Sequence, residues 1–241
     1  MVITPLEILN GTLSLVCVIV SIIVGLTIIS RYLKYKQVNL ILVGITWIGV
    51  FSPWWPSTIS FLVALITGTG LTPTMYFFIG FFASPLVITV WIVAFTSFKF
   101  KKQQKVIVGI YLIIGIAFEI YLLFTLFVAN DPAQIGTLTG VCDTTYRGIA
   151  MYFSIFIVIT MLVTGVLFGL ASRKSENPEI RLKGMFLIIA FVSWVIGALL
   201  DAALPLDFIS LTIARIILIS SALEFYCGFL LPNIVKKIFL K

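Results

Sequence analysis

The sequence predicts an all-α integral membrane protein, a bundle of seven transmembrane helices with its N-terminus outside and its C-terminus cytoplasmic. Three observations carry that prediction. Hydrophobic residues make up 61% of the 241 and charged residues 10%, against about 25% charged in soluble domains. Seven apolar runs are each long enough to cross a hydrocarbon core of ~30 Å at ~1.5 Å per residue. Fourteen of the sixteen basic residues fall in four segments: Arg31, Lys34, Lys36; Lys99, Lys101, Lys102, Lys105; Arg173, Lys174, Arg181, Lys183; and Lys236, Lys237, Lys241. The alternate segments carry Glu7, Asp131, Asp143, Asp207 and, among bases, Arg147. Basic turns stay cytoplasmic, so this alternation fixes the orientation and requires an odd number of crossings. The expected location is the plasma membrane, with residues 1–241 forming one membrane domain and the lipid bilayer as its first partner.

The first span covers 8–30. No basic segment precedes it and its charge follows the apolar run, so it reads as a helix and not as a signal peptide. Asn10-Gly11-Thr12 matches a glycosylation acceptor but lies against the membrane. The second span, 38–67, is interrupted by Ser52-Pro53-Trp54-Trp55-Pro56-Ser57. Each proline removes an intrahelical hydrogen bond, which predicts a kink or short break. Trp54 and Trp55 would line a pocket there, or sit at the headgroup level of a bent span.

The third span, 74–97, holds Pro85 and Trp91, and the fourth, 106–128, holds Glu119. Residues 129–147 are rich in Asp, Thr, Gly and Pro and are expected as an irregular outer loop. The fifth span, 148–171, has no ionisable side chain; Thr160, Thr164, Gly165 and Gly169 equip it for close helix packing. The sixth, 180–204, places Trp194 near mid-membrane and Asp201 near its outer end. Pro205 would make the next tight turn, into the seventh span, 209–232. Residues 233–241 read as a short amphipathic tail, Ile234, Val235, Ile238 and Phe239 against Lys236, Lys237 and Lys241, lying along the inner interface. Thr46-Trp47-Ile48-Gly49 and Ser193-Trp194-Val195-Ile196-Gly197 are a loose echo in spans of equal orientation, as a parallel three-plus-one-plus-three duplication would produce.

The candidate site is built on charges inside apolar runs. Each costs roughly 2.5–3.5 kcal/mol at the bilayer centre and is expected to face protein or water with a partner. Counting ~1.5 Å per residue, Arg215 lies roughly 9–12 Å below the outer boundary, Glu119 roughly 14 Å and Asp201 roughly 5 Å. Arg215 is therefore expected between Glu119 and Asp201, with Trp54, Trp55, Trp91 and Trp194 as aromatic walls. Glu224, nine residues beyond Arg215, falls on the opposite face of its helix, on a small and polar stripe with Ser220, Ser221 and Gly228.

Histidine is absent, which removes the usual neutral-pH base and a common metal ligand. Cys17, Cys142 and Cys227 have no metal-binding or redox spacing and predict no disulfide. Neither an enzyme nor a metal or organic cofactor is expected, and the basic turns are topology signals, not a nucleic-acid surface. Topology resembles that of the microbial rhodopsins, and Trp91 and Trp194 would suit retinal walls; the seventh-helix Lys of that family has no counterpart in 209–232. The Asp-Arg-Tyr and Asn-Pro-x-x-Tyr signals of G-protein-coupled receptors are also missing, the third span ending Thr96-Ser97-Phe98-Lys99. Sugar transporters of the three-plus-one-plus-three kind share the topology without a motif that carries over. Two readings follow: a receptor-like or sensory bundle with an outer polar site and a protein partner at the basic inner loops, or a small transporter or channel using Glu119, Arg215 and Glu224. Either leaves room for a small ligand or ion in the bundle. A sealed inner half would speak against conduction, and a cavity reaching inward would favour it.

Overall fold

The computed structural model describes residues 3–204 and 207–240; Pro205 and Lys241, given roles above, lie outside them. Among the described residues seven helices of 23 to 31 residues are long and apolar enough to cross a membrane. The first span is α1 (Pro5–Ser30) with a short α2 (Tyr32–Tyr35). It begins earlier than the apolar run because Thr4 and Glu7 form a capping box: the Glu7 N–H donates to Thr4 Oγ1 at 3.3 Å and the Thr4 N–H to Glu7 Oε2 at 2.8 Å, satisfying otherwise orphaned donors. The second span is α3 (Val38–Gly49), a 3-10 turn (Ser52–Trp54) and α4 (Trp55–Thr67), so the Pro53 and Pro56 break is a real interruption. Pro85 interrupts the third in the same way, dividing α5 (Pro73–Phe81) from α6 (Ser84–Lys99). The fourth, α7 (Gln104–Leu123), ends in a π-turn (Phe124–Val128); the fifth, sixth and seventh are α8 (Gly148–Arg173), α9 (Pro178–Ala203) and α10 (Phe208–Leu230). A terminal α11 (Asn233–Phe239) exposes Ile234, Ile238 and Phe239 and pairs Lys236 with Glu179 at the start of α9.

The 129–147 segment differs from expectation. It contains an antiparallel hairpin, β1 (Gly136–Thr139) and β2 (Asp143–Tyr146), with Gly136 opposite Tyr146 and Thr139 opposite Asp143. The turn takes a left-handed residue, Gly140 at φ +60°, and a Cβ there would strike the Glu7 carboxylate, so glycine is needed on both counts. Ile135, Val141 and Cys142 are buried. Val141 and Cys142 pack on Phe61 and Ala64 of α4, and the hairpin thus closes one end of the bundle. That end is the hairpin end below, and the opposite one, with the Lys and Arg turns, is the basic end.

Neighbours follow chain order in a ring: the first span packs on the second and the seventh, the second on the third, the fifth on the sixth, and the sixth on the seventh. The third touches the fourth and the fifth. Exchanging spans one, two and three with five, six and seven maps the one–seven contact onto the three–five contact, a pseudo-two-fold arrangement. Contact chemistry repeats with it. A Cβ on Gly49 would meet Val87 of the third span, and one on Gly197 would meet Leu218 of the seventh; these are the glycines of the two echoed motifs. One helical turn further toward the hairpin end, the Ser52 and Ser84 hydroxyls lie 3.2 Å apart in the first half, where the second half has Asp201 and Arg215, also 3.2 Å apart. The fourth span stands outside the pair of triplets, with Gly115, Phe118 and Leu122 its buried residues.

Helix pairs within each half cross at glycine. A Cβ on Gly44 would come within 2.6 Å of the Gly25 carbonyl oxygen, and one on Gly184 within 2.6 Å of that of Gly169. The two crossings sit at different depths, five residues before Gly49 and thirteen before Gly197, so the halves match in arrangement and not in strict superposition.

Candidate functional site

Arg215 sits on the inward face of α10 with Leu211, Leu218 and Ala222, and is 3% exposed. Its Nη1 lies 3.2 Å from Asp201 Oδ2 on the neighbouring α9. Nη2 donates to Asn10 Oδ1 of α1 at 2.9 Å. The Trp54 indole donates Nε1–H to the same Asp201 oxygen at 2.9 Å and places its ring 5.6 Å from the guanidinium carbon, within cation–π range. Proline-driven interruption of the second span is what turns Trp54 inward at this level.

The polar chain continues to the hairpin. Asn10 Oδ1 also accepts from Ser14 Oγ at 3.3 Å, and Asn10 Nδ2 donates to the Cys142 carbonyl at 3.4 Å. That carbonyl is reached as well by Ser57 Oγ at 3.1 Å and Tyr76 Oη at 3.0 Å. Three donors converge on one backbone oxygen, which has two lone pairs. The hairpin turn is therefore bonded to the first, second and third spans, and through Asn10 to Arg215. Burial pushes the Asp143 carboxyl up, opposed by the Thr144 backbone N–H and by the Arg215 charge. The Cys142 thiol is pushed up to about 12, by burial first and then by Glu7, so it stays protonated near neutral pH.

Of the residues singled out from sequence, Trp54, Asp201 and Arg215 come together. Glu119 does not join them. It lies on the peripheral α7, and both its oxygens are without a hydrogen-bond partner; equal depth put it at the right level but on the wrong side of the ring. Trp55 is half-buried and its indole N–H is unpaired. Trp91 donates to Thr164 Oγ1 of α8 at 2.6 Å, and Trp194 is buried on the Asp201 face of α9, seven residues from it. Glu224 is half-buried beyond the ion pair, with Oε2 unpaired. On the stripe beside it, Gly228 packs against Leu187 of α9.

Asn10, Ser57, Tyr76 and the Cys142 carbonyl were not legible as site groups. Asn10 had one signal: with Ser14, Cys17, Ser21 and Gly25 it forms a small and polar stripe at helical spacing, and all five are buried. A glycosylation acceptor must be exposed, so the Asn10 match has no such use here.

Toward the basic end the axis is filled by aromatic rings. Trp47 stacks on Phe225 at 3.6 Å and contacts Phe51 at 5.6 Å and Phe191 at 6.4 Å; Phe51 reaches Trp54 at 5.4 Å and Phe191 reaches Trp91 at 5.2 Å. Beyond this layer lies a cavity of about 260 Å³ lined by Trp91, Phe95, Phe168 and Phe229, with Gln37 and Asn39 among its polar residues. Buried polar groups without acceptors cost about 1–3 kcal/mol each. Trp47 Nε1, Trp194 Nε1 and Arg215 Nε are such groups, and Arg215 Nη1 has its ion pair but no hydrogen-bond geometry.

Glu7 latches the lid. Besides capping α1, its carboxylate accepts from the Val141 N–H at 2.9 Å. Glu7→Ala is expected to lower thermal stability by about 1–3 kcal/mol, combining a lost cap with a buried N–H left unpaired. Amide exchange at Val141 and the β1–β2 pairs should accelerate while α8 and α9 remain protected; unchanged hairpin exchange would mean that the latch contributes nothing. Among the described residues no three His, Cys, Asp or Glu side chains gather as metal ligands would. No protein-family model, curated protein or solved structure matches the chain.

Proposed function

We propose that the chain is a small transporter of three-plus-one-plus-three helix organisation, with the Arg215–Asp201–Asn10 centre as its substrate and coupling site. The observation that carries this reading is a charge pair buried between two closures, a hairpin at one end and an aromatic layer at the other, with a cavity beyond that layer toward the basic end. Parallel repeats rocking about a central site open such closures in turn. The pseudo-two-fold order of neighbours among spans one to three and five to seven supports reading them as the repeats. With the basic turns cytoplasmic, the hairpin is the outer gate and the Trp47–Phe225 stack the inner one. The packed axis supports an occluded carrier and gives no support to an open channel.

Cys17 provides a native reporter, since its Sγ lies 3.9 Å from the Arg215 carbonyl oxygen. In a Cys142→Ala, Cys227→Ala background in sealed vesicles, membrane-impermeant thiol reagents are expected to reach Cys17 from both sides. Glu7→Ala should raise the labelling rate from the hairpin side about tenfold, as loss of one gate hydrogen bond to a charged group implies. The receptor-like reading rests on the packed aromatic layer, which leaves no continuous polar route. Labelling confined to the hairpin side, in the presence and absence of solute gradients, would favour a receptor and overturn the transporter.

A further inference from the structure

The buried groups along the axis are unequal in kind. Those without a hydrogen-bond partner are donors: Trp47 Nε1, Trp194 Nε1 and Arg215 Nε, on residues 0%, 3% and 3% exposed, with Arg215 Nη1 held by its ion pair to Asp201 alone. The unpaired carboxyl oxygens lie elsewhere, on Glu119 of the peripheral α7 and on Glu224, about two and a half turns along α10 from Arg215. Native structures pair almost all buried donors. A row of them left open is matched by an occupant that brings acceptors and needs no acceptor in return.

The donors form two tiers. Trp47 precedes Trp54 by seven residues across the interruption of the second span, and Trp194 precedes Asp201 by seven, about 10 Å of helix rise in α9. The second and sixth spans meet across the axis at both levels, through the Trp54–Asp201 hydrogen bond and the Trp47–Phe191 contact. Trp47 and Trp194 are also the tryptophans of the two echoed motifs, so the lower tier belongs to spans that the pseudo-two-fold exchanges. Below it lies the cavity that Trp91 helps to line.

Resting on the transporter reading, we infer that the substrate is a small monovalent anion carried together with one proton. The Arg215 donors take the anion first, and the Trp47 and Trp194 indoles take it next on the way to the basic-end cavity. Arg215 and Asp201 sum to zero charge when both are ionised. An added anion would leave a net negative charge in a low-dielectric interior, which is strongly disfavoured. A proton taken up by Asp201 Oδ restores neutrality and frees the guanidinium edge that the carboxylate holds; its release beside the departing anion resets the pair. The titratable or charged groups facing Asp201 are Arg215 of α10, Cys17 of α1, and Asp143 and Tyr146 of the hairpin.

The full chain, reconstituted in vesicles of phosphatidylcholine and phosphatidylglycerol with a trapped pH dye and a potassium–valinomycin clamp, tests this with chloride and nitrate gradients. Sodium, glucose and glycine gradients serve as the other solute classes. An inward anion gradient should acidify the lumen. Asp201→Asn should retain anion flux and lose the pH change, and Trp47→Phe and Trp194→Phe, which keep an aromatic ring and remove the N–H, should each slow anion flux about tenfold. Flux of sodium, glucose or glycine without anion flux overturns the anion assignment and leaves the transporter reading standing. Anion flux with no pH change in the unmodified chain overturns proton coupling, and unchanged flux in both tryptophan variants overturns the donor tiers. If none of the five solutes moves and Cys17 labels only from the hairpin side, the transporter reading fails and takes the anion assignment with it.

Discussion

Arg215→Ala is expected to lower thermal stability in detergent by about 3–5 kcal/mol, the range for removing one member of a buried ion pair. The loss has three parts: Asp201 keeps a buried charge without its counter-ion, Asn10 loses its guanidinium donor, and Trp54 loses its cation–π partner. Adding Asp201→Asn should recover part of it, because the stranded carboxylate is what makes the single change so damaging. Groups in contact couple by 0.5–3 kcal/mol, whereas distant ones add within about 0.5 kcal/mol. The Arg215→Ala, Glu119→Gln pair should therefore be additive. Unfolding curves for the two double-mutant cycles separate the alternatives, and coupling to Glu119 in place of Asp201 would put the ion pair in the wrong helices.

The second large effect is expected at the glycine crossings. Gly44→Ala and Gly184→Ala should each destabilise by about 3 kcal/mol, the upper part of the range for overpacking. The obstruction in both is a backbone carbonyl 2.6 Å from the new Cβ, belonging to Gly25 or Gly169. A side chain could rotate aside, but a carbonyl in a helix cannot, so the helices must separate. Gly109→Ala is the control: nothing lies within 4 Å of its Cβ position on α7, and better helix propensity should leave it neutral or up to about 1 kcal/mol more stable. Equal melting temperatures for all three variants would show that the crossings are not tight.

The helices were legible because their signals are local. Apolar length and basic turns report each span separately, and Pro53, Pro56 and Pro85 announce their interruptions through missing N–H groups. The Arg215–Asp201 link was half legible: the two residues lie fourteen apart on a helical hairpin, so chain connectivity alone holds them near each other. Glu119 was misplaced because counting along a span gives depth and says nothing about position around the ring. The hairpin was missed because half its residues are only partly buried, so it lacks the apolar alternation of a long strand. Its signals were the Thr and Tyr residues on either side of Gly140-Val141-Cys142. Asn10 was hidden in plain sight, as a polar residue near a helix end where exposure is the ordinary outcome.

The serine pair at Ser52 and Ser84 has a mechanical consequence. Both spans that supply it are interrupted within a few residues of it, whereas Asp201 lies in the last turn of an unbroken α9 and Arg215 well inside an unbroken α10. Pliable backbone and fixed charge thus occupy opposite halves of the molecule at one depth. Among the described contacts, spans two and three touch the two ions through a single side chain, the Trp54 indole. Flexing of spans two and three reaches the ion pair itself as a pull on that one ring.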